Sequence, residues 1–316
     1  MLNCSNWVVG KLPAFNTGDR ASNISRNLRK IEILLKEFER ARKHVDYFAL
    51  DLSLPELQRT FSEVSTEEYE HVGLHGLHGT YNDAITWLSI PDNRTRPTVV
   101  MSMGSSLGNF NRPEAAEFLG RFARLMTPSD MMIIGLDGCK NPEKVYRAYN
   151  DKDGVTHQFY ENGLAHANEV LGYEAFKPSQ WQIVTHFDPV KGQHQAFYSP
   201  TQDVTINGII LPKGEKLVFE EATKYGPEER DQLWRTAGLI PGAELGNSSD
   251  DYRELVPVYD MHLASSPRRI SQFSTNPAAG WSLSAACLLQ GCLRCHYVAR
   301  TCRHGLIMYA DPIFVV

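Results

Sequence analysis

The residues best suited to chemistry open in Thr98–Asn111, TVVMSMGSSLGNFN. A short apolar run, Val99–Met103, breaks into Gly104-Ser-Ser and then Gly108-Asn109. Such a pattern reads as a buried strand that delivers a glycine-rich loop. In open α/β sheets, ligands bind at the carboxyl ends of strands. Gly104 and Gly108 let the backbone approach a ligand closely, and Asn109 brings an amide that both donates and accepts. The plain alternative is a strand-to-helix turn in which Asn111 caps a helix starting near Pro113. A second candidate is Asp51, which closes the run Val45–Leu50, VDYFAL. A carboxylate there can accept two hydrogen bonds from a vicinal diol such as a ribose. It suits a helix cap equally well, because Ser53-Leu-Pro-Glu56 opens a helix.

His75 and His78 stand in a turn-rich stretch, His75–Asn82. No carboxylate or cysteine joins them at ligand spacing, so they read as loop histidines and no metal is expected. Tyr81 in the same stretch suits stacking on a purine or packing beneath the loop. Of six cysteines, Cys287, Cys292, Cys295 and Cys302 crowd the last part of the chain. Cys292-x-x-Cys295-His296 has the spacing for covalent haem attachment, which needs export, and no export signal is present. With His304 the same cysteines offer a loosely spaced zinc set, without the paired motifs of a structural zinc site. The reading taken is a tail of reduced thiols.

The elements that must position these residues follow from periodicity. Leu28, Ile31, Leu34, Leu35 and Phe38 form one helical face over Asn27–Arg42. Val45–Leu50 is a strand, Pro55–Val64 a helix, Tyr69–Leu74 a strand. Thr98–Met103 leads to a helix over Pro113–Met126, and Met131–Leu136 is a strand ending in Asp137. Strand and helix alternate four times, which argues for a doubly wound parallel α/β sheet, Rossmann-like. From Pro142 the texture changes. Glu143–Asn150 and His157–Leu171 read as helices, then Trp181–Phe187, His194–Tyr198, Thr205–Leu211 and Lys216–Ala222 as strands with short turns, then Pro227–Thr236 as a helix. Residues 1–23 read as an irregular N-terminus, 24–139 plus 224–265 as the core, 140–223 as an α+β extension, and 266–316 as an irregular Cys-rich tail.

The 316 residues are 42% hydrophobic and 22% charged, with net charge -5. That composition fits a globular protein and offers nothing to nucleic acid or a membrane surface. No run approaches the ~20 apolar residues of a membrane span, and the start lacks a secretory core. The expected location is the cytoplasm.

Several motifs resemble one family, the histidine-specific S-adenosylmethionine-dependent methyltransferases. They are Asn27-Leu-Arg-Lys-Ile, Tyr47-Phe-Ala-Leu-Asp-Leu-Ser, Met103-Gly-Ser-Ser-Leu-Gly-Asn, Gly135-Leu-Asp-Gly-Cys-Lys, Arg147-Ala-Tyr-Asn-Asp, Gly154-Val-Thr, Gln195-Ala-Phe-Tyr-Ser and Phe219-Glu-Glu-Ala-Thr-Lys-Tyr. The wording is similar above all to the fungal 4-dimethylallyltryptophan N-methyltransferases. The resemblance implies S-adenosylmethionine as cofactor, a small amino acid as substrate, and residues 140–223 as the substrate-binding extension. By matching position it places Lys30 and Asp51 on the cofactor, Asp51 at the ribose, and, by a looser match, Thr80 and Tyr81 beside the adenine; Gly104, whose backbone can approach a ligand closely, is then read as cofactor-binding. Asn109 and Tyr149 fall on residues that hold the substrate's amine and carboxylate, and Glu220, Glu221 and Ala222 face its side chain. No residue stands out as the base. Ala222 replaces a serine of the histidine-specific pattern, which favours methylation of the α-amine of an aromatic amino acid larger than histidine, 4-dimethylallyl-L-tryptophan in ergot-type alkaloid formation; Nα-trimethylation of histidine in ergothioneine formation is the alternative, and an inactive truncated paralogue or interaction fragment another.

Two departures carry an expectation of their own. The family's Gly-Ser-Gly turn before Asn27 reads Ile24-Ser25-Arg26, and the residues before it are turn-like where a first strand belongs. The first strand is therefore expected to be missing, the centre of the sheet to lack a partner, and cofactor binding to be weak.

Overall fold

A computed structural model describes residues 26–62, 64, 68–246, 252–259 and 313–315, with side chains described within 31–242. Helix α1 (Arg26–Arg40) buries Ile31 and Leu35 and packs Leu34 and Phe38 beside them. Strand β1 (Val45–Asp51) shows the two-residue alternation of a strand with helices on both sides. Tyr47 and Ala49 pack with α1 and with Leu57 and Phe61 of α2 (Leu54–Ser62), while Leu50 joins the cluster of the other face.

Strand β2 (Val72–His78) runs parallel to β1 along its whole length, from Val45 opposite Val72 to Asp51 opposite His78. It lies three residues beyond the stretch expected from sequence, so His75 and His78 are strand residues rather than loop residues. His75 stacks on Phe48 at 4.5 Å and meets Asp46 at 3.0 Å. His78 Nε2 lies 2.9 Å from the Leu52 carbonyl. Among the described residues no group of His, Cys, Asp and Glu could hold a metal ion.

Helix α3 (Tyr81–Leu88), strand β3 (Val99–Ser102), helix α4 (Arg112–Ala123) and strand β4 (Met131–Asp137) complete the alternating half. Thr80 and Asn111 start the two helices with reciprocal caps, Thr80 with Asp83 and Asn111 with Glu114, which satisfies backbone donors left over at a helix start.

The extension follows as α5 (Pro142–Tyr149), α6 (Val155–Leu171), β5 (Trp181–Asp188), β6 (Gln193–Pro200), β7 (Val204–Ile206), β8 (Ile209–Leu211) and β9 (Leu217–Thr223). Strands β5, β6 and β9 form one antiparallel sheet and β7 and β8 a second. The single strand expected over Thr205–Leu211 is a hairpin instead. Asn207 and Gly208 both take positive φ, 50° and 79°, the geometry an Asn-Gly turn supplies between two strands.

Helix α7 (Pro227–Ala237) leads back to the large sheet through β10 (Leu239–Gly246) and β11 (Tyr252–Tyr259), and β12 (Ile313–Val315) joins it. The sheet order is β10-β11-β4-β3-β12-β1-β2. β1 with β2 and β3 with β4 are parallel pairs, and β11 is antiparallel to β4. Helices α3, α4 and α7 cover one face and α1 and α2 the other. The fold is a Rossmann-like, doubly wound α/β sheet with an α+β extension. No described helix is long and apolar enough to cross a membrane.

The centre of the sheet corrects two expectations. In the doubly wound order 3-2-1-4-5 a strand preceding α1 would lie between β1 and β3. That place is filled, by β12 from the stretch read as irregular tail. β12 runs antiparallel to both neighbours, opposite Phe48 and Ala49 on one side and Val100–Ser102 on the other. Its Ile-Phe-Val sequence is β-branched and aromatic, the composition that strands favour. The N-terminal 1–23, Ile24, Ser25 and the cysteines after Ser266 lie outside the described residues.

Candidate active site

Strand β9 determines which groups meet. Glu220, Ala222 and the next alternate residue, Lys224, share a face, and Glu221 takes the other. Across from β9, Ala196 pairs with Glu220, Gln195 with Glu221 and His194 with Ala222. A register shift at Ala196/Phe197 leaves Phe219 as an extra residue, and such bulges re-aim side chains. Phe219 stacks on Tyr198 at 3.9 Å and meets Tyr160 edge-on at 4.9 Å. Glu220 lies beside the same Tyr160.

The last residue of α5, Tyr149, packs over this face. Its ring stacks on His194 with centroids 3.7 Å apart and 12° between planes, and Val145 and Ala222 pack beside it. Lys224 is only 4% exposed. Its Nζ donates to Asp137 Oδ2 at 2.6 Å and to the Tyr149 hydroxyl at 3.0 Å. Asp137 ends β4 and is itself tied: its Oδ1 accepts from the Cys139 N–H at 2.8 Å and its carbonyl from the Tyr225 N–H at 2.8 Å.

Burial governs the ionisation of these groups. It pushes the Glu220 carboxyl up to about 7, against the pull of the Tyr160 hydroxyl and the Lys224 charge. Neither Glu220 oxygen meets a partner at full hydrogen-bonding geometry among the described residues. His194 is held down to about 4 by burial first, then by the Lys224 and His186 charges, and neither of its ring nitrogens has a partner among those residues. Burial opposes the charge on Lys224, yet Tyr149 and Asp137 hold its pKa above the ordinary lysine value. Burial raises the Tyr149 hydroxyl, with Lys224 opposing.

The loop after β3 reaches the same strand end. Ser106–Asn109 forms a short 3₁₀ turn, and the positive φ falls on Ser105 at 72° rather than on Gly104 or Gly108. A Cβ on Gly108 would stand 2.8 Å from the Thr223 carbonyl oxygen. Gly108 therefore makes room for β9, not for a ligand as its sequence context implied. Thr223 Oγ1 donates to the Phe110 carbonyl at 3.1 Å, and Asn109 between these contacts is exposed.

Glu221 does not join the cluster. It faces the opposite side of β9 and its Oε1 accepts from Gln195 Nε2 at 2.7 Å. On the other strands, Asp51 is half-buried at the carboxyl end of β1, and burial raises its pKa. Its Oδ1 accepts from the Ser53 N–H at 2.7 Å, and the Leu52 N–H also bonds to the carboxylate. Thr80 gives its hydroxyl proton to Asp83, and Tyr81 packs edge-on against Phe118 at 5.0 Å. Lys30 lies on α1 with its side chain outside the described ones. Lys224, Asp137 and His194 were not singled out as site residues from sequence. The available signal was the alternation from Glu220 to Lys224.

A doubly wound sheet with polar groups gathered at its carboxyl end is the architecture of a Rossmann-like α/β protein with a ligand site at its strand ends. The chain belongs to the histidine-specific, S-adenosylmethionine-dependent methyltransferase family, which it matches over residues 24–256. Ergothioneine biosynthesis protein 1 of Neurospora crassa is 42% identical over 246 residues, which cover 77% of this chain and 27% of that protein. The chain thus spans about a quarter of that relative's length. The 4-dimethylallyltryptophan N-methyltransferase easF of Arthroderma benhamiae is 37% identical over 229 residues, 68% of this chain and 67% of that one. The N-methyltransferase imqF of Aspergillus flavus is 31% identical over 236 residues, 72% of this chain and 64% of that one.

Proposed function

We infer that the chain methylates the α-amine of an aromatic amino acid whose ring carries an N–H, with histidine as the first substrate. The observation that carries this reading is Glu220, a buried carboxyl near pKa 7 without a fully formed hydrogen bond, beside Tyr149 and Lys224. The Tyr160 hydroxyl beside it leaves lone pairs of the carboxyl unused, and a ring N–H is a donor that can fill one. The description of the family and the name of the Neurospora relative support histidine, within ergothioneine formation. Ala222 supports a second reading. A methyl group packed against Tyr149 and Val145 in place of a hydroxyl suits a larger, more apolar ring. The Arthroderma relative's name then points to 4-dimethylallyltryptophan and ergot-type alkaloid formation.

When bound, S-adenosylmethionine supplies an electrophilic methyl group. The residues of this chain supply alignment, worth up to about 7–11 kcal/mol in ideal cases. Asp51 is the carboxylate positioned to hold the ribose. Asn109 and Tyr149 hold the polar ends of the amino acid, and Glu220 its ring. The attacking amine must be neutral, so its ammonium proton leaves first.

Labelled methyl transfer to L-histidine and to 4-dimethylallyl-L-tryptophan tests both readings. It is run on the chain and on a version with a strand and Gly-Ser-Gly turn restored before Asn27. Faster labelling of histidine supports the first reading, and faster labelling of the prenylated tryptophan replaces it with the second. Absence of labelling on both amino acids in the restored version removes both.

A further inference from the structure

We propose that Lys224 is a positioning residue that fixes the direction of the Tyr149 hydroxyl and thereby commits Tyr149 to the carboxylate, not the amine, of the substrate. The inference rests on the amino-acid substrate proposed above.

An ammonium group has three donors and no acceptor. At 3.0 Å from the Tyr149 oxygen, Lys224 Nζ must therefore be the donor. A tyrosine hydroxyl has one proton, and with its oxygen accepting from Lys224 that proton points away from the lysine. Asp137 keeps the arrangement in place by holding Nζ at 2.6 Å, while its own Oδ1 is fixed by the Cys139 N–H. The Tyr149 ring cannot swing, since His194 lies flat against it at 3.7 Å. Position and direction of one O–H are thus set before any ligand arrives.

Of the two polar ends of an amino acid, only one suits a fixed donor. An ammonium has nothing to accept with. A neutral amine has one lone pair, which must be free to attack the methyl group, so a donor placed on it would oppose the reaction. A carboxylate accepts at both oxygens, and a hydrogen bond to a charged acceptor is roughly twice as strong as a neutral one. The buried ammonium beside the hydroxyl favours the same negatively charged end.

The test compares ligands that differ only in the carboxylate: L-histidine with histamine, and L-tryptophan with tryptamine, each titrated calorimetrically into the full chain. Lys224→Met alone leaves the half-buried Asp137 without its cation, so the variant used is D137N/K224M, which removes both charges at similar volume. Y149F is the second variant, because it keeps the ring stack and loses only the hydroxyl. Each variant is expected to lose about tenfold or more of the preference for the amino acid over its amine. The triple variant is expected to lose no more than either. An unchanged preference in Y149F or in folded D137N/K224M overturns the inference, as do losses that add in the triple variant. Failure of the parent chain to bind any of the four ligands overturns the substrate reading, and the inference with it.

Discussion

The two sides of the site are built differently. On the proposed substrate side, α5, β6 and β9 bring Tyr149, His194, Glu220 and Lys224 into a buried cluster locked by Asp137 from the core. The anchors there are side-chain contacts that join α5, β6, the end of β4 and the residue after β9. On the proposed cofactor side, Asp51 is half-exposed and the strand between β1 and β3 is three residues long. β12 meets only Phe48 and Ala49 of a seven-residue β1. Its antiparallel direction puts Ile313 opposite Ser102, so it enters the sheet from the edge where the ligand-binding residues stand. The difference teaches that a buried polar cluster can form without a full-length central strand. The cluster depends on where the extension meets β4, the strand ends of β1 and β3 on what occupies the middle of the sheet.

The largest expected effect bears on that contrast directly. With Ile24 and Arg26 in place of the family's glycines and β12 in the central slot, S-adenosylmethionine should bind in the millimolar range. Relative to a low-micromolar site this is a loss of about 4 kcal/mol. Calorimetric titration measures it. A low-micromolar constant for the chain would break the contrast, and recovery of that affinity on restoring the strand and both glycines would sharpen it.

The substrate side should announce itself through pH. Glu220 has its pKa raised from 4.5 to about 7, so between those values the folded state holds a proton that the unfolded state has released. Its contribution to stability therefore falls as pH rises through that window, by on the order of 3 kcal/mol at most. His194 is lowered from 6.5 to about 4, so there the unfolded state takes up a proton first and stability rises with pH. The two slopes oppose each other from about pH 4.5 to 6.5. E220Q should remove one and expose the other: a stability that climbs from about pH 4 to 6.5 and then levels. Denaturant unfolding across pH 4–8 would measure this. An E220Q curve that still declines toward neutral pH would place the Glu220 carboxyl in water, not in the cluster.

The link between the two sides is Gly108. An added methyl group would meet the Thr223 carbonyl at 2.8 Å, a backbone atom that cannot rotate aside. G108A should therefore push the loop off β9 and cost about 1–3 kcal/mol. It should also weaken amino-acid binding, because Asn109 moves with the loop. Thermal unfolding and ligand titration of the same variant separate the two losses.

What was legible in the sequence follows the range of the interactions. The alternating half could be read because each strand and helix carries its own period: Leu28–Phe38 on α1, Val45–Leu50 on β1, Met131–Leu136 on β4. β2 was placed three residues early because His75, Gly76 and His78 look turn-forming. In the fold Gly76 leaves room for Phe61, and His75 stacks on Phe48, so packing overrides local preference. Tyr149 and Glu220 were found through motif resemblance. Lys224 stood in the quoted motif without a role, because its role arises only when β4, α5 and β9 meet. β12 carries only a weak local signal, three β-branched and aromatic residues. Three apolar residues become a strand only through partners far along the chain.

The smallest expected effect is the most exacting test of register. Glu220 and Glu221 are chemically identical neighbours, and the family motif alone assigns both to the substrate. The strand separates them. Glu220 stands with Tyr149 and Lys224, and Glu221 is bound to Gln195 across β9 and β6. E221A should then leave amino-acid affinity within about twofold and stability within about 0.5 kcal/mol, as for an ordinary surface substitution. E220A should weaken ligand binding about tenfold or more, as expected when a charged hydrogen-bond partner is removed. The pairing could shift only at the bulge beside Ala196, where Phe219 is the extra residue. A slip of one residue there would exchange the faces of every side chain that follows. It would bring Glu221 and Thr223 to the ligand and turn Glu220 and Lys224 away. E221A with the larger loss would therefore show that the strand pairs one residue out of the register described, and Tyr149 would lose the lysine that aims it.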